Sequence, residues 1–239
     1  MNREKKLASF LAELGLTPEE AVAEWVRSGV VDLKKIQQIF TSDDCFVKSP
    51  HEIEVGMFLC NDGRISKKFA AGRNCAMVIA VGEDGDTLSV MCTEKASMSF
   101  CTQEEKIYTD SISRGLSATH FLKEMAEVSG MSVIAAEYCL SYTNKFVKPQ
   151  QAFLLSIGEI NKFGSDMAKI ALAAQTADMT DEFWLVTSAH TDDEDIPRFM
   201  TGTFVADGQN VGVDIASASC EEQLAVYPVY EISSSLLRF

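Results

Sequence analysis

Two Asp-Gly dipeptides, each following an apolar run, commit the first half of this chain to antiparallel hairpins. In the first, Val55-Gly56-Met57-Phe58-Leu59-Cys60 runs into Asn61-Asp62-Gly63. In the second, Met77-Val78-Ile79-Ala80-Val81 meets Glu83-Asp84-Gly85-Asp86 and continues into Thr87-Leu88-Ser89-Val90-Met91. Glycine accepts the positive-φ backbone of a tight hairpin turn without steric cost, so Asp-Gly between apolar runs is a strong hairpin signal.

Helical spacing follows. One helix starts near Ser117 and carries Phe121, Leu122, Met125 and Val128; a second spans 133–142 with Val133, Ala136, Tyr138 and Leu140 apolar. The stretch "QAFLLSIGEINKF" then begins as a buried strand and turns, at Ser156, into a helix with Ile157, Ile160 and Phe163 on one face. Ser156 followed by Glu159 reads as a capping pair. This helix is expected to continue to about Ala174 despite Gly164. The last third returns to strands, at 183–187, 199–205, 211–215 and 224–232. Strands, then helices, then strands predict an α+β fold with a small antiparallel sheet and two to three helices, not βαβ alternation.

Before these elements, residues 1–45 read as a separate helical segment. Leu7, Phe10, Leu11 and Leu14 share a face, Thr17-Pro18-Glu19-Glu20 starts a second helix, and Asp32 can cap a third carrying Leu33, Ile36 and Ile39. The expected organisation is therefore 1–45 packed on a main domain over 46–239. The apolar faces of these short helices also make them candidates for joining copies into a homo-oligomer.

Charge limits the partners. Lys and Arg number 21 against 35 Asp and Glu, a net charge of −14. Such a chain lacks the positive surface that nucleic acid or an anionic membrane requires. No segment approaches the roughly 20 apolar residues that span a bilayer, and the N-terminus lacks a secretory signal pattern. Seven scattered cysteines, without a C-x-x-C pair, suit buried thiols in a reducing compartment and argue against zinc. The compartments consistent with this are the cytoplasm, a phage particle or, if a leader has been removed, a cell surface.

Several short pieces resemble, in order, a bacterial and phage family of C-type-lectin-like domains of the Lcl type, found at the C-terminus of collagen-like adhesins. "AFLLSIGEINKF" is similar to its W-x-L-P-S-x-G-E-L-N segment. "EVGMFLCNDGRIS" resembles its opening hairpin, "MVIAVGEDGD" its next strand, "AAEYCLSYTN" its A-a-x-x-C-x-x-Y helix end, "FWLVTSA" its Y-W-S-S-T strand and "VYPVYEI" its closing V-R-P-V strand. The resemblance covers residues 52–232. Leu155 stands where the family has Pro, Leu185-Val186 where it has Ser-Ser, and Tyr227 where it has Arg. The resemblance implies a C-type-lectin-like fold, with Phe153, Leu154, Ile157, Ile160, Phe163, Trp184 and Val226 in the core.

It also implies a non-catalytic module, adhesin-like or receptor-binding, that recognises a protein or glycan without a cofactor. The ligand would be read by loops between the Trp184 strand and the closing strand, with His190, Asp192, Asp193, Asp195, Arg198, Gln209, Asn210 and Asp214 as candidate contacts. The alternative is a thiol- or metal-dependent enzyme on the same scaffold, as in the formylglycine-generating oxidases; Cys75, Cys92 and Cys101 are the thiols to consider. The residues give that alternative little. Ser188, His190 and Asp192 are too close in sequence for a catalytic triad, and there is no G-x-S-x-G elbow. "TDDEDI" lacks a calcium-loop spacing and reads as a solvated acidic loop. Gly202, Gly208 and Gly212 precede no Lys-Ser/Thr and read as strand and turn glycines.

Overall fold

A computed structural model describes residues 45–83, 85–103, 114–186, 190–191, 197–207 and 210–239, with the backbone alone at 190–191. All but the last residue of the expected N-terminal segment 1–45 lies outside this set. The strands β1 (Phe58–Cys60), β2 (Ile65–Ser66), β3 (Asn74–Val81), β4 (Thr87–Cys92) and β5 (Ala96–Met98) come first. The helices α1 (Gly115–Ser129), α2 (Ile134–Ser141), α3 (Ile157–Lys162) and α4 (Met167–Thr176) follow. Strands β6 (Phe183–Trp184), β7 (His190–Thr191), β8 (Pro197–Ala206), β9 (Val211–Ser219), β10 (Leu224–Val226) and β11 (Val229–Ser233) complete the chain. This is the α+β order expected, with four helices among the described residues.

Both Asp-Gly turns form. Gly63 and Gly85 adopt φ of 93° and 71°. Gly63 N donates to Cys60 O at 3.0 Å, closing β1 on β2, and Gly82 N donates to Thr87 O at 2.8 Å, closing β3 on β4.

Two sheets form where one small sheet was expected. The first has the order β11-β4-β3-β1-β2 and is antiparallel throughout. The second runs β5-β10-β6-β8, with β7 beside β6 on one edge of β8 and β9 on its other edge. The expected closing strand 224–232 is two strands in different sheets. The chain passes from β10 to β11 through Tyr227-Pro228, and Pro228, which has no N–H for a ladder, accepts from Cys92 N at 2.9 Å.

Alternation across these sheets sorts the side chains into three cores. Leu59, Val78, Val90, Tyr230 and Ile232 fill the outer face of the first sheet. Its other face, with Met77, Ile79, Met91 and Val229, meets Phe183 and Phe204 of the second sheet, together with Ile160, Phe163 and Ile170 from α3 and α4. The far face of the second sheet carries Trp184, Phe199 and Val226 under Leu122 and Ala126 of α1 and Ala135, Ala136 and Cys139 of α2. Trp184 is held on both sides: its Nε1 donates to Met98 O at 2.9 Å, and its ring meets Phe100 edge-on at 5.3 Å.

The segment 152–156 is wholly buried but is not a strand of either sheet. Phe153 bridges to Val229 of β11, with both N–H···O bonds formed, and Ser156 bridges in parallel to Val186 after β6. It therefore joins the two sheets. Phe153, Leu154, Ile160, Phe163, Trp184 and Val226 are buried as expected, while Ile157 is only partly so. Leu155, Leu185, Val186 and Tyr227, the four apolar substitutions noted in the sequence, are all buried.

Two helix expectations need correction. The helix from Ser156 does not run to Ala174: α3 ends at Lys162, Gly164 takes φ of 48°, and a 3-10 turn at Gly164–Asp166 leads into α4. The positive φ is one that glycine accepts and a continuing helix cannot use. In α1, Leu122 is buried, but Phe121 and Met125 are about a third exposed and Val128 is 84% exposed. The helix instead buries Gly115, Ala118, Thr119, Leu122 and Ala126.

Candidate functional site

Glu159 is the junction on which the site is built. Ser156 Oγ accepts from Glu159 N at 3.1 Å, and Glu159 Oε2 accepts from Ser156 N at 2.9 Å, completing the capping box that the sequence suggests. Its other oxygen reaches 44 residues back and accepts from Gly115 N, the first residue of α1, at 3.1 Å. One carboxylate thus satisfies the starts of two helices, where negative charge is favoured. The contact leaves no room for a side chain at Gly115: a Cβ there would lie 2.4 Å from Leu154 O and 2.5 Å from Phe153 Cδ2. Thr119, one turn into α1, is fully buried and fixes the same junction. Its hydroxyl donates to Gly115 O at 2.7 Å and accepts from Leu154 N at 3.1 Å.

Beside this junction opens a cleft of about 630 Å³ between the first sheet and the starts of α1 and α3. Its apolar wall comes from Val55, Ile79, Val81, Phe153, Phe163 and Val229. Its rim carries charge of both signs, from Arg114 and Lys162 and from Glu159, Asp166 and Glu231, and hydroxyls at Ser89 and Ser117. Asp166 is engaged by Lys169 at 3.1 Å. Apolar walls with a few convergent polar groups are common to ligand clefts in general, and its volume falls in the range of small-molecule sites. Neither a cysteine nor a histidine lines it. The sequence reading missed this cleft, because its walls come from five separate stretches of chain; Ser156 with Glu159 was the one local signal near it.

The eight residues expected to contact ligand do not assemble into a site among the described residues. Asp192, Asp193, Asp195 and Gln209 lie outside that set, and His190 is described only as backbone in β7, opposite Arg198. Arg198 is engaged within the hairpin: its Nε donates to Ser217 Oγ at 3.1 Å and an Nη donates to Ser217 O at 2.6 Å. Asn210 is exposed at the other end of the β8–β9 ladder, and Asp214 is exposed in the middle of β9. Arg198 and Asn210 are therefore separated by most of a nine-pair ladder, roughly 25 Å at strand rise.

The thiols are poorly placed for nucleophilic work. Cys45, Cys60, Cys92, Cys101, Cys139 and Cys220 are buried and Cys75 is half-buried. Burial pushes the Cys60 and Cys75 thiols up to about 11 and Cys92 to about 12, and holds Cys139 well above its ordinary value. A nucleophilic cysteine needs the opposite, a lowered value that supplies thiolate at neutral pH. Cys75 lines a small cavity of about 260 Å³ with Tyr142 and Asn144, again without a histidine. Asn144 serves structure there: its amide donates to Tyr230 Oη at 3.1 Å while its Oδ1 accepts from Phe146 N at 2.7 Å. Of the other histidines, His120 pairs through Nε2 with the Gln150 carbonyl at 3.0 Å and His51 sits in an exposed 3-10 turn. Among the described residues no three His, Cys, Asp or Glu side chains converge as a metal site, and no helix is long and apolar enough to cross a membrane.

Comparison of the chain with protein-family models, with curated proteins and with solved structures finds no match.

Proposed function

We propose that this chain is a non-catalytic ligand-binding module of the C-type-lectin-like type, adhesin-like or receptor-binding in role, which recognises a protein or glycan without a metal. The observation that carries the reading is the cleft beside Glu159, with apolar walls and a rim of mixed charge lined by neither a cysteine nor a histidine. A mixed rim suits a polar ligand of low net charge, with Arg114 offering a bidentate donor and Glu231 an acceptor. The seat proposed is the cleft; of the candidate contacts in the 190–222 loops, Arg198 is bonded to Ser217, and Asp192, Asp193, Asp195 and Gln209 lie outside the described residues.

The test is an array of glycans and surface proteins probed with the purified chain, with and without EDTA. It is repeated with Ser89→Trp, which fills the cleft from a half-buried position. The expected result is binding that survives EDTA and is lost in Ser89→Trp while circular dichroism stays unchanged. Binding abolished by EDTA, binding untouched by Ser89→Trp, or binding to nothing would overturn the proposal.

A further inference from the structure

The outer edge of β9 carries information that the cleft does not. Leu185 N donates to Met200 O at 3.1 Å, so Met200 turns its backbone groups toward β6. Backbone direction alternates along a strand, so Phe199, Thr201, Thr203 and Val205 turn toward β9, and their partners Ala218, Ala216, Asp214 and Gly212 turn back to meet them. The outward groups of β9 therefore belong to Val211, Val213, Ile215, Ser217 and Ser219. Ser217 O already accepts from Arg198, and Ser219 bonds to the Glu222 turn through both its N and its O. What remains, among the described residues, is a row of six groups: the N–H and C=O of Val211, Val213 and Ile215.

We propose that this row pairs with the same row of a second copy, antiparallel, about a two-fold axis through Val213. In that register Val213 faces its own copy, and Val211 and Ile215 face each other twice. All six backbone groups are satisfied and every cross-strand pair on that face is β-branched and apolar, the combination that stabilises antiparallel ladders. The neighbouring positions fit as well. Asp214, the only charged residue in β9, falls opposite Gly212 of the partner and not opposite its own copy. Val211 and Ile215 are each 41% exposed, unusual for two β-branched residues on one edge. The β8–β9 ladder runs through nine pairs without a register shift, whereas β1–β3 and β3–β4 both shift. β9 thus has no bulge, lysine or proline to protect its edge from pairing, and its one charge is Asp214.

The register makes the test specific. The full chain and its variants are compared by sedimentation equilibrium from about 1 to 100 µM, a range that brackets weak self-association. The wild type is expected to be dimeric. Ile215→Lys and Val211→Glu each place a charge against an apolar partner and are expected to raise the dissociation constant about tenfold or more. The double variant Val211→Glu/Ile215→Lys sets Glu against Lys across the axis twice and is expected to recover the dimer. The two Asp214 residues lie roughly 7–8 Å apart on the diagonal and each copy is strongly acidic, so added salt is expected to tighten association. A wild type monomeric throughout, a dimer indifferent to Ile215→Lys, or a double variant no better than the single ones would overturn the proposal. Circular dichroism of each variant separates a lost interface from a lost fold.

Discussion

Among the described glycines, Gly115 leaves the least room for a side chain. Its Cβ position is occupied on three sides, by Leu154 O, the Phe153 ring and Glu159 Oε2, at 2.4–2.7 Å. Gly115→Ala must push α1 away from the 152–156 segment. It is expected to cost about 1–3 kcal/mol of unfolding free energy, measured by urea denaturation. The Ser156–Glu159 capping box was legible in the sequence, because its partners are three residues apart. Gly115 was not, because everything that excludes its side chain is about 40 residues away. The buried thiols make a second prediction. Their ordinary value is 9.0, and burial moves Cys60 and Cys75 to about 11 and Cys92 to about 12. Between these values the unfolded chain releases protons that the folded chain keeps. The unfolded state then binds fewer protons, so stability from this source is full below pH 9 and falls as pH rises toward 11 to 12. A urea midpoint that declines from pH 9 to pH 10.5 supports this; a midpoint that rises contradicts it.

At the scale of elements, turns, the Ser156 cap and the buried face of α3 were readable, and most of the face of α1 was not. Both Asp-Gly hairpins and the strand, helix, strand order appear as their residues demand. Of the face expected for α1, Leu122 is buried, while Phe121, Met125 and Val128 are exposed and Ala118 and Ala126 take their place. The difference is measurable. Leu122→Ala is expected to cost about 2–5 kcal/mol, and Val128→Lys to stay within about 0.5 kcal/mol of the wild type. Equal effects would mean that α1 is rotated about its axis. The split of 224–232 into β10 and β11 was also hidden. Tyr227-Pro228 is apolar enough to read as continuous strand, and only the second sheet gives β10 somewhere else to go.

Over the whole molecule, two sheets share the central core, and segment 152–156 joins them through Val229 on one side and Val186 on the other. That arrangement explains why so apolar a stretch ends at a helix cap: it must be buried between layers and then stop at the surface, where α3 borders the cleft. The cleft itself could not be read from sequence, since it exists only once Val55, Ile79, Phe153, Phe163 and Val229 converge. The candidate loop contacts rest on the resemblance to lectin-like domains, and Asp192, Asp193, Asp195 and Gln209 lie outside the described residues. The most direct test of recognition at the cleft is a nuclear magnetic resonance titration of the full chain with a ligand selected on the array, following amide and methyl shifts. The account predicts perturbations centred on Val55, Ile79, Val81, Arg114 and Val229. Perturbations centred instead on Arg198, Asn210 and Asp214, with the cleft silent, would contradict it.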